Sequence, residues 1–302
     1  MNSQKACQVR LATLVVMGVL LLSGCARQGH PEAAGPKPPV TGTTGATVPL
    51  APEMLIGSWT LVDVADPGAG TILRLADSEL HVIGSHCGTL GGSWLANDEG
   101  VFLADVWSAS ALAVDSTPGC EKASQETPGW LRSVTAYQFD AAGSPVLLDR
   151  RGQTVARLIP GATPTPEPDK ADSVLEPPVV TDEARRALAP AVALPATLVP
   201  ADQRQPVGRW APKRGHKAAY VEFTANGEWH GSDGCNDQSG RWITAAGGTL
   251  LATSRAATLA FCSDSVPIEQ WVTTARRAGL DGKALVLLNA QGDETGRLQP
   301  KN

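Results

Sequence analysis

The sequence predicts a mainly β (α+β) protein. It should hold two tandem small antiparallel β-barrel-like domains, each with one short helix packed on its sheet. Three observations lead there. A set of landmarks occurs twice in the same order, short apolar runs alternate with turn residues, and proline-rich stretches bracket two regions of about a hundred residues each.

The first region carries Ile56-Gly57-Ser58-Trp59, Cys87, Gly92-Ser93-Trp94, Cys120, Trp130 and Arg157-Leu158. The second carries Val207-Gly208-Arg209-Trp210, Cys235, Gly240-Arg241-Trp242, Cys262, Trp271 and Arg297-Leu298. From first cysteine to tryptophan is seven residues in both, and from second cysteine to the next tryptophan is ten and nine. Agreement in register at so many points indicates duplication. Two copies are too few for a solenoid, so tandem domains are expected at 53–159 and 206–300.

In the second copy AAYVEF (218–223) reads as a strand, Asn226-Gly227 as its tight turn, and EWHGSDGCN as the returning strand. GTLLAT (248–253) and ALVLLN (284–289) are further strands, the latter entered through Asp281-Gly282. A helix is expected after Ser265 as cap and Pro267 in the first turn. Ile268, Trp271, Val272 and Ala275 then share one face, and Arg276 and Arg277 lie near its end before Gly279. The first copy offers TILRLA, ELHVIGSHC, GVFLAD, TAYQFD and PVLLDR as strands. Pro128-Gly129 interrupts its helical segment, so that helix should be shorter or frayed.

The chain opens on MNSQKACQVR, with Lys5 and Arg10 and no acid, followed by the apolar run LATLVVMGVLLL. Twelve residues cannot cross a bilayer core that needs about twenty. A basic start, a short apolar run and small residues after it form a secretory signal over residues 1–24. Leu22-Ser23-Gly24-Cys25 resembles a lipobox. The resemblance implies cleavage before Cys25, diacylglycerol on its sulfur, and a durable membrane anchor made of two or more acyl chains such as palmitate. Residues 25–52 are rich in Pro, Gly, Thr and Ala and read as a flexible tether with a root-mean-square span of roughly 25–30 Å. Residues 160–205 read as a partly ordered Pro-rich linker, in which 181–195 has the composition to form a short helix and dock on a neighbour. Loss of Lys5 and Arg10 with the signal makes the net charge of −5 more negative by two. That excludes a generally basic surface for nucleic acid.

Once the signal is cut and Cys25 is lipidated, Cys87, Cys120, Cys235 and Cys262 remain. In an exported protein the simplest pairing is one disulfide per copy, Cys87–Cys120 and Cys235–Cys262. The stretch GSDGCNDQSGRW (231–242) then reads as a pinned strand-to-strand turn. A calcium loop from Asp233, Asn236, Asp237 and Ser239 lacks alternate-residue spacing and has no counterpart in GSHCGTLGGSW of the first copy. Zinc at His230 and Cys235, or at His81, His86 and Cys87, lacks a second cysteine at short spacing. No metal and no cofactor is expected.

Gly-Cys-Asn, the Gly-x-Trp step, Thr258 before Cys262 and a closing Leu-x-Leu strand resemble the META domain, also called the HslJ-like domain. Gly208, Trp210, Phe223, Gly234, Cys235, Asn236, Gly240, Thr258, Cys262, Leu285 and Leu287 stand where that pattern expects them. Residues 55–159 fit loosely, with Gly88 after Cys87 in place of Asn. The resemblance implies a small antiparallel barrel-like fold with a packed helix, a bacterial envelope setting, and loose links to stress and drug tolerance. It brings no catalytic residues.

Trp59/Trp210, Trp94/Trp242 and Trp130/Trp271 recur between copies and are expected in the cores. Trp107 and Trp229 do not correspond, which makes them the candidate exposed contacts. The expectation is a non-enzymatic, lipid-anchored envelope protein, monomeric, that binds an envelope protein or small ligand. The alternatives are an envelope-polymer hydrolase using Glu222, Glu228 and Asp233, or an inhibitor or pilot-like chaperone. Glycine-elbow serine, Ser-x-x-Lys and His-Glu-x-x-His motifs do not occur.

Overall fold

The computed structural model describes residues 50–65, 70–85, 87–109, 126–166, 171–202, 205–255, 257 and 260–301. The signal segment, Cys25, the tether up to residue 49, His86, Cys120 and Thr258 lie outside them.

The first lobe contains β1 (Gly57–Val62), β2 (Ile72–Ala76), β3 (Glu79–Ser85), β4 (Gly88–Ala96) and β5 (Phe102–Ala109). It continues with α1 (Gly129–Ser133), β6 (Val134–Phe139), β7 (Pro145–Asp149) and β8 (Thr154–Pro160). A connecting segment holds α2 (Asp172–Leu175), α3 (Asp182–Ala187) and β9 (Val199–Pro200). The second lobe has β10 (Gly208–Pro212), β11 (Tyr220–Phe223), β12 (Glu228–Ser232), β13 (Asp237–Ala245) and β14 (Thr249–Ala252). It ends with α4 (Ile268–Thr274), β15 (Arg277–Asp281), β16 (Ala284–Leu288) and β17 (Glu294–Pro300).

The first sheet runs β5-β4-β3-β2-β1-β8-β7-β6, and the second runs β14-β13-β12-β11-β10-β17-β16-β15-β9. Apart from β9, the two orders are the same. All neighbouring pairs are antiparallel, so the fold is mainly β, as its alternating apolar pattern requires. The ends of each sheet meet at one matched point: Val101 bridges Ala136 in the first lobe, and Thr249 pairs with Arg277 in the second.

The registers make residues of the two lobes equivalent one by one. Trp94 faces Ala104 as Trp242 faces Ala252, and Leu95 faces Leu103 as Ile243 faces Leu251. The Trp59 indole donates to the Leu55 carbonyl at 2.8 Å, and Trp210 donates to Pro206 at 2.7 Å. Both therefore anchor the first strand to the residue four before it. The Gly-x-Trp step has one steric cause in both copies. A Cβ on Gly92 would lie 1.9 Å from the Asp105 carbonyl oxygen, and one on Gly240 would lie 2.0 Å from that of Thr253. The facing strand approaches so closely that only glycine fits.

Several expectations are corrected. Helix α4 stops at Thr274, and no side chain caps it: Pro267, not Ser265, holds its N-cap position. Arg277 begins β15 instead of ending a helix, because Arg277 to Leu280 pair with β16. The interrupted helix of the first lobe is the five-residue α1, against seven residues in α4. Trp229 is not an exposed contact. It has no exposed surface, because it occupies an inward position on β12 directly opposite Gly240, and its Nε1–H donates to the Thr253 carbonyl at 2.8 Å.

Candidate binding cleft between the lobes

The turn at Asp233–Asn236 spends its polar groups on itself. One oxygen of Asp233 accepts from the backbone N–H groups of Cys235 and Asn236 at 2.7 and 2.6 Å, and the other accepts from the Asn236 amide at 3.0 Å. These bonds hold the Asp233 carboxyl below its ordinary range, although partial burial acts against them. Asn236 reaches across to residue 260, donating to its carbonyl at 2.9 Å and accepting from its N–H at 2.7 Å. Cys235 is disulfide-bonded to Cys262 with Cα atoms 6.1 Å apart, so turn and loop are fastened at adjacent points. Only Gly234 in this turn takes positive φ, at 102°, and no Cβ fits there beside His216. Among the described residues no three His, Cys, Asp or Glu side chains gather as metal ligands. Cys87 is also disulfide-bonded.

The acids considered for hydrolysis lie on one hairpin and the turn that follows it. Glu222 stands opposite Arg209 on the neighbouring strand, Asp233 is held as described, and Glu228 accepts from Arg132 of the first lobe at 3.3 Å. Trp107 is half-buried near the end of β5, with its Nε1 enclosed and unpartnered among the described residues.

Residues that the sequence reading passed over join the lobes. Asp105, fully buried on β5, accepts from Arg255 Nε at 3.1 Å and Nη2 at 3.0 Å. Thr127 and Thr253, one from each lobe, donate to the same carboxylate at 3.1 and 3.3 Å. The Arg241 guanidinium enters the first lobe, donating to the carbonyls of Ala104 and Arg132. Burial pushes its pKa down to about 10, partly opposed by Asp105. Glu99 accepts from Arg277 at 2.6 Å and from the Thr249 hydroxyl. Beside these polar clusters, Leu95, Val101 and Leu103 pack on Ile243, Ala245 and Leu251. Asp105 with Arg255 and Glu99 with Arg277 are paired and hydrogen-bonded, the condition under which buried charge is tolerated, whereas Arg241 is held by carbonyls and its Nε has no partner among the described residues. A hint was present at one position: the first copy reads Gly-Ser-Trp where the second reads Gly-Arg-Trp.

Packing follows an approximate two-fold. Strand β5 lies against β13 while β14 lies against β4, and these are equivalent strands exchanged. Leu103 and Leu251 meet as equivalents in the apolar patch, as do Leu95 and Ile243.

Beside this junction is a cleft of about 560 Å3, within the about 300–1,000 Å3 common for ligand sites. Gly100, Ala136, Arg150 and Gly152 line it from the first lobe, and Ala225, Gly227, Trp242 and Thr244 from the second. Small residues dominate its walls, and Arg150 supplies an exposed charge at its edge.

Two lobes of one antiparallel topology, joined face to face with a cleft at the seam, define the class of protein. The particular likeness is narrower: residues 204–302 match the META domain family. No curated protein and no solved structure matches the chain.

Proposed function

We infer that the protein is a lipid-anchored bacterial envelope module that binds a partner or ligand without catalysing a reaction. On this reading the first lobe is a divergent copy of the META domain, and the shared strand order supports that descent. The lipobox-like Leu22-Ser23-Gly24-Cys25 supports the anchor. The observation that carries the binding role is the cleft between the lobes, which draws its walls from both. The carboxylates that a hydrolase would recruit are committed instead, Glu228 to Arg132 and Asp233 to its own turn. A role in stress or drug tolerance follows only from the family's loose associations.

Fractionation of cells expressing the wild type and Cys25→Ala tests the anchor. The wild type should sediment with membranes and the variant should be soluble; retention of the variant would remove the anchor from this reading. In-cell crosslinking through a photoreactive residue at Thr135, in the cleft wall, tests the binding role. A discrete crosslinked species is expected, and turnover of wall polymer by residues 26–302 would replace the binding role with an enzymatic one.

A further inference from the structure

The approximate two-fold generates two equivalent grooves, and one of them is already filled. Thr181 of the connecting segment donates to Asp77 of the first lobe at 2.8 Å and caps α3 by accepting from Ala184. The chain then crosses the second lobe in largely irregular conformation. Arg276 donates to the Ala187 carbonyl, and Arg277 donates to the carbonyls of Ala191 and Val192. The Val192 N–H donates to the Ala290 carbonyl at 3.0 Å. A Cβ on Gly292 would meet the Val192 side chain at 2.8 Å, and one on Gly248 would meet Leu194 at 3.2 Å.

Each of these positions has its counterpart in the open cleft. Ala136 bridges Val101 and faces Leu148, as Arg277 pairs with Thr249 and faces Leu288. Thr135 and Ala136 therefore stand for Arg276 and Arg277, and Gly100 for Gly248. The turn that bonds Gly152 N–H to the Asp149 carbonyl matches the one that bonds Gly292 N–H to Asn289. This places Arg150 and Gly152 where Ala290 and Gly292 hold the connecting segment. The facing wall repeats too: Gly227 accepts from the Trp242 N–H as Ser78 accepts from that of Trp94, beside Asp77. All five first-lobe positions line the open cleft.

We propose that the open cleft is a peptide-binding groove for an extended, uncharged, proline-bearing aliphatic segment of a partner protein. The chain shows what such a groove takes, since its own occupant is Ala-Leu-Ala-Pro-Ala-Val-Ala-Leu-Pro (187–195), held mostly through backbone groups. Three of these bonds run from the Arg276 and Arg277 guanidinium groups to carbonyls of the segment and one from the Val192 N–H to Ala290, so the groove grips main chain, which suits an extended segment. The open cleft has the short Thr135 and Ala136 where Arg276 and Arg277 hold the segment, so a partner chain there is gripped without those donors.

The inference rests on the binding-module reading but can fail without it. The probe is the acetylated, amidated nonapeptide of residues 187–195, titrated into isotope-labelled protein of residues 26–302. Saturable amide shifts at Gly100, Ala136, Gly152 and Gly227 are expected. Ala136→Arg and, separately, Thr135→Arg restore the donors that hold the segment in the filled groove, so each should strengthen binding at least threefold without lowering the melting temperature of at least one of the two. Absence of saturable shifts at millimolar peptide, shifts confined to other surfaces, or unchanged affinity in a folded variant would overturn the groove. Binding that appears only after residues 26–46 are removed would assign the groove to the chain itself and overturn a partner's claim to it. A crosslinked partner in cells together with peptide inertness would spare the binding module and sink the peptide groove.

Discussion

Arg255 grips Asp105 through two of its nitrogens, and the two residues belong to different lobes. The acid is fully buried and the arginine largely so. Truncating either one leaves a charge in low dielectric without its partner, which costs about 3–5 kcal/mol. Asp105→Ala and Arg255→Ala should each lower the unfolding free energy by that order. The double variant should lose less than the sum, since it removes both charges. Denaturant titration of the four proteins of the cycle measures the coupling.

Acid should loosen the same junction. Burial acts to raise Glu99 and Glu228, but hydrogen bonds from Arg277 and Thr249 to the former, and from Arg132 to the latter, hold both below the ordinary value of 4.5. Groups with depressed folded values stabilise the protein above the ordinary value, and that contribution disappears as pH falls through the lower folded values. Melting temperature should thus be flat from neutrality to about pH 5 and fall below pH 4.5. The fall should be shallower in Glu99→Gln than in the wild type.

Two glycine substitutions separate steric need from mere presence. Gly240→Ala drives a methyl group onto the Thr253 carbonyl and should destabilise by at least about 1–3 kcal/mol, the cost of overpacking. Gly129→Ala meets no atom within 4 Å and begins a helix. It should be neutral or stabilise by about 0.4–1 kcal/mol. Calorimetry on the two variants distinguishes the cases.

The Cys235–Cys262 bridge closes a loop with a sequence separation of 27. On chain-entropy grounds its loss costs about 3–4 kcal/mol. Cys235→Ser should fall by that order in urea unfolding. The hydrogen bonds of Asn236 with residue 260 should preserve the native fold at 25 °C, visible as unchanged far-ultraviolet circular dichroism.

The repeated topology was legible because it leaves marks at fixed spacing: the Gly-x-Trp steps, the cysteine positions and the Gly-x-Trp entries to the first strands. ALVLLN was legible for a different reason, as a short continuous apolar run entered through a turn, and β16 is buried at every position. Arg277 was not, because an arginine after a helical stretch looks like a helix end, and only the partner strand β16 makes it β. Trp229 misled because a lack of correspondence between copies was taken as a sign of exposure. Its inward position is in fact shared with Leu80, which faces Gly92 as Trp229 faces Gly240. The junction was hidden apart from the Arg241 that stands where the first region has Ser93. Asp105, Arg241 and Arg255 come from strands and loops far apart in sequence, and a charge inside an apolar strand does not say what it will meet.

Charge is allocated unevenly across the near-symmetric seam. At the most buried contacts acids Glu99 and Asp105 sit on one half and Arg241, Arg255 and Arg277 on the other, while the more exposed Arg132–Glu228 pair runs the opposite way. A pair of identical second halves docked through this face would confront arginine with arginine, and a pair of identical first halves would bury acid against acid. In their most buried charges the halves are opposite members of a couple, each matched to the other and not to a second copy of itself.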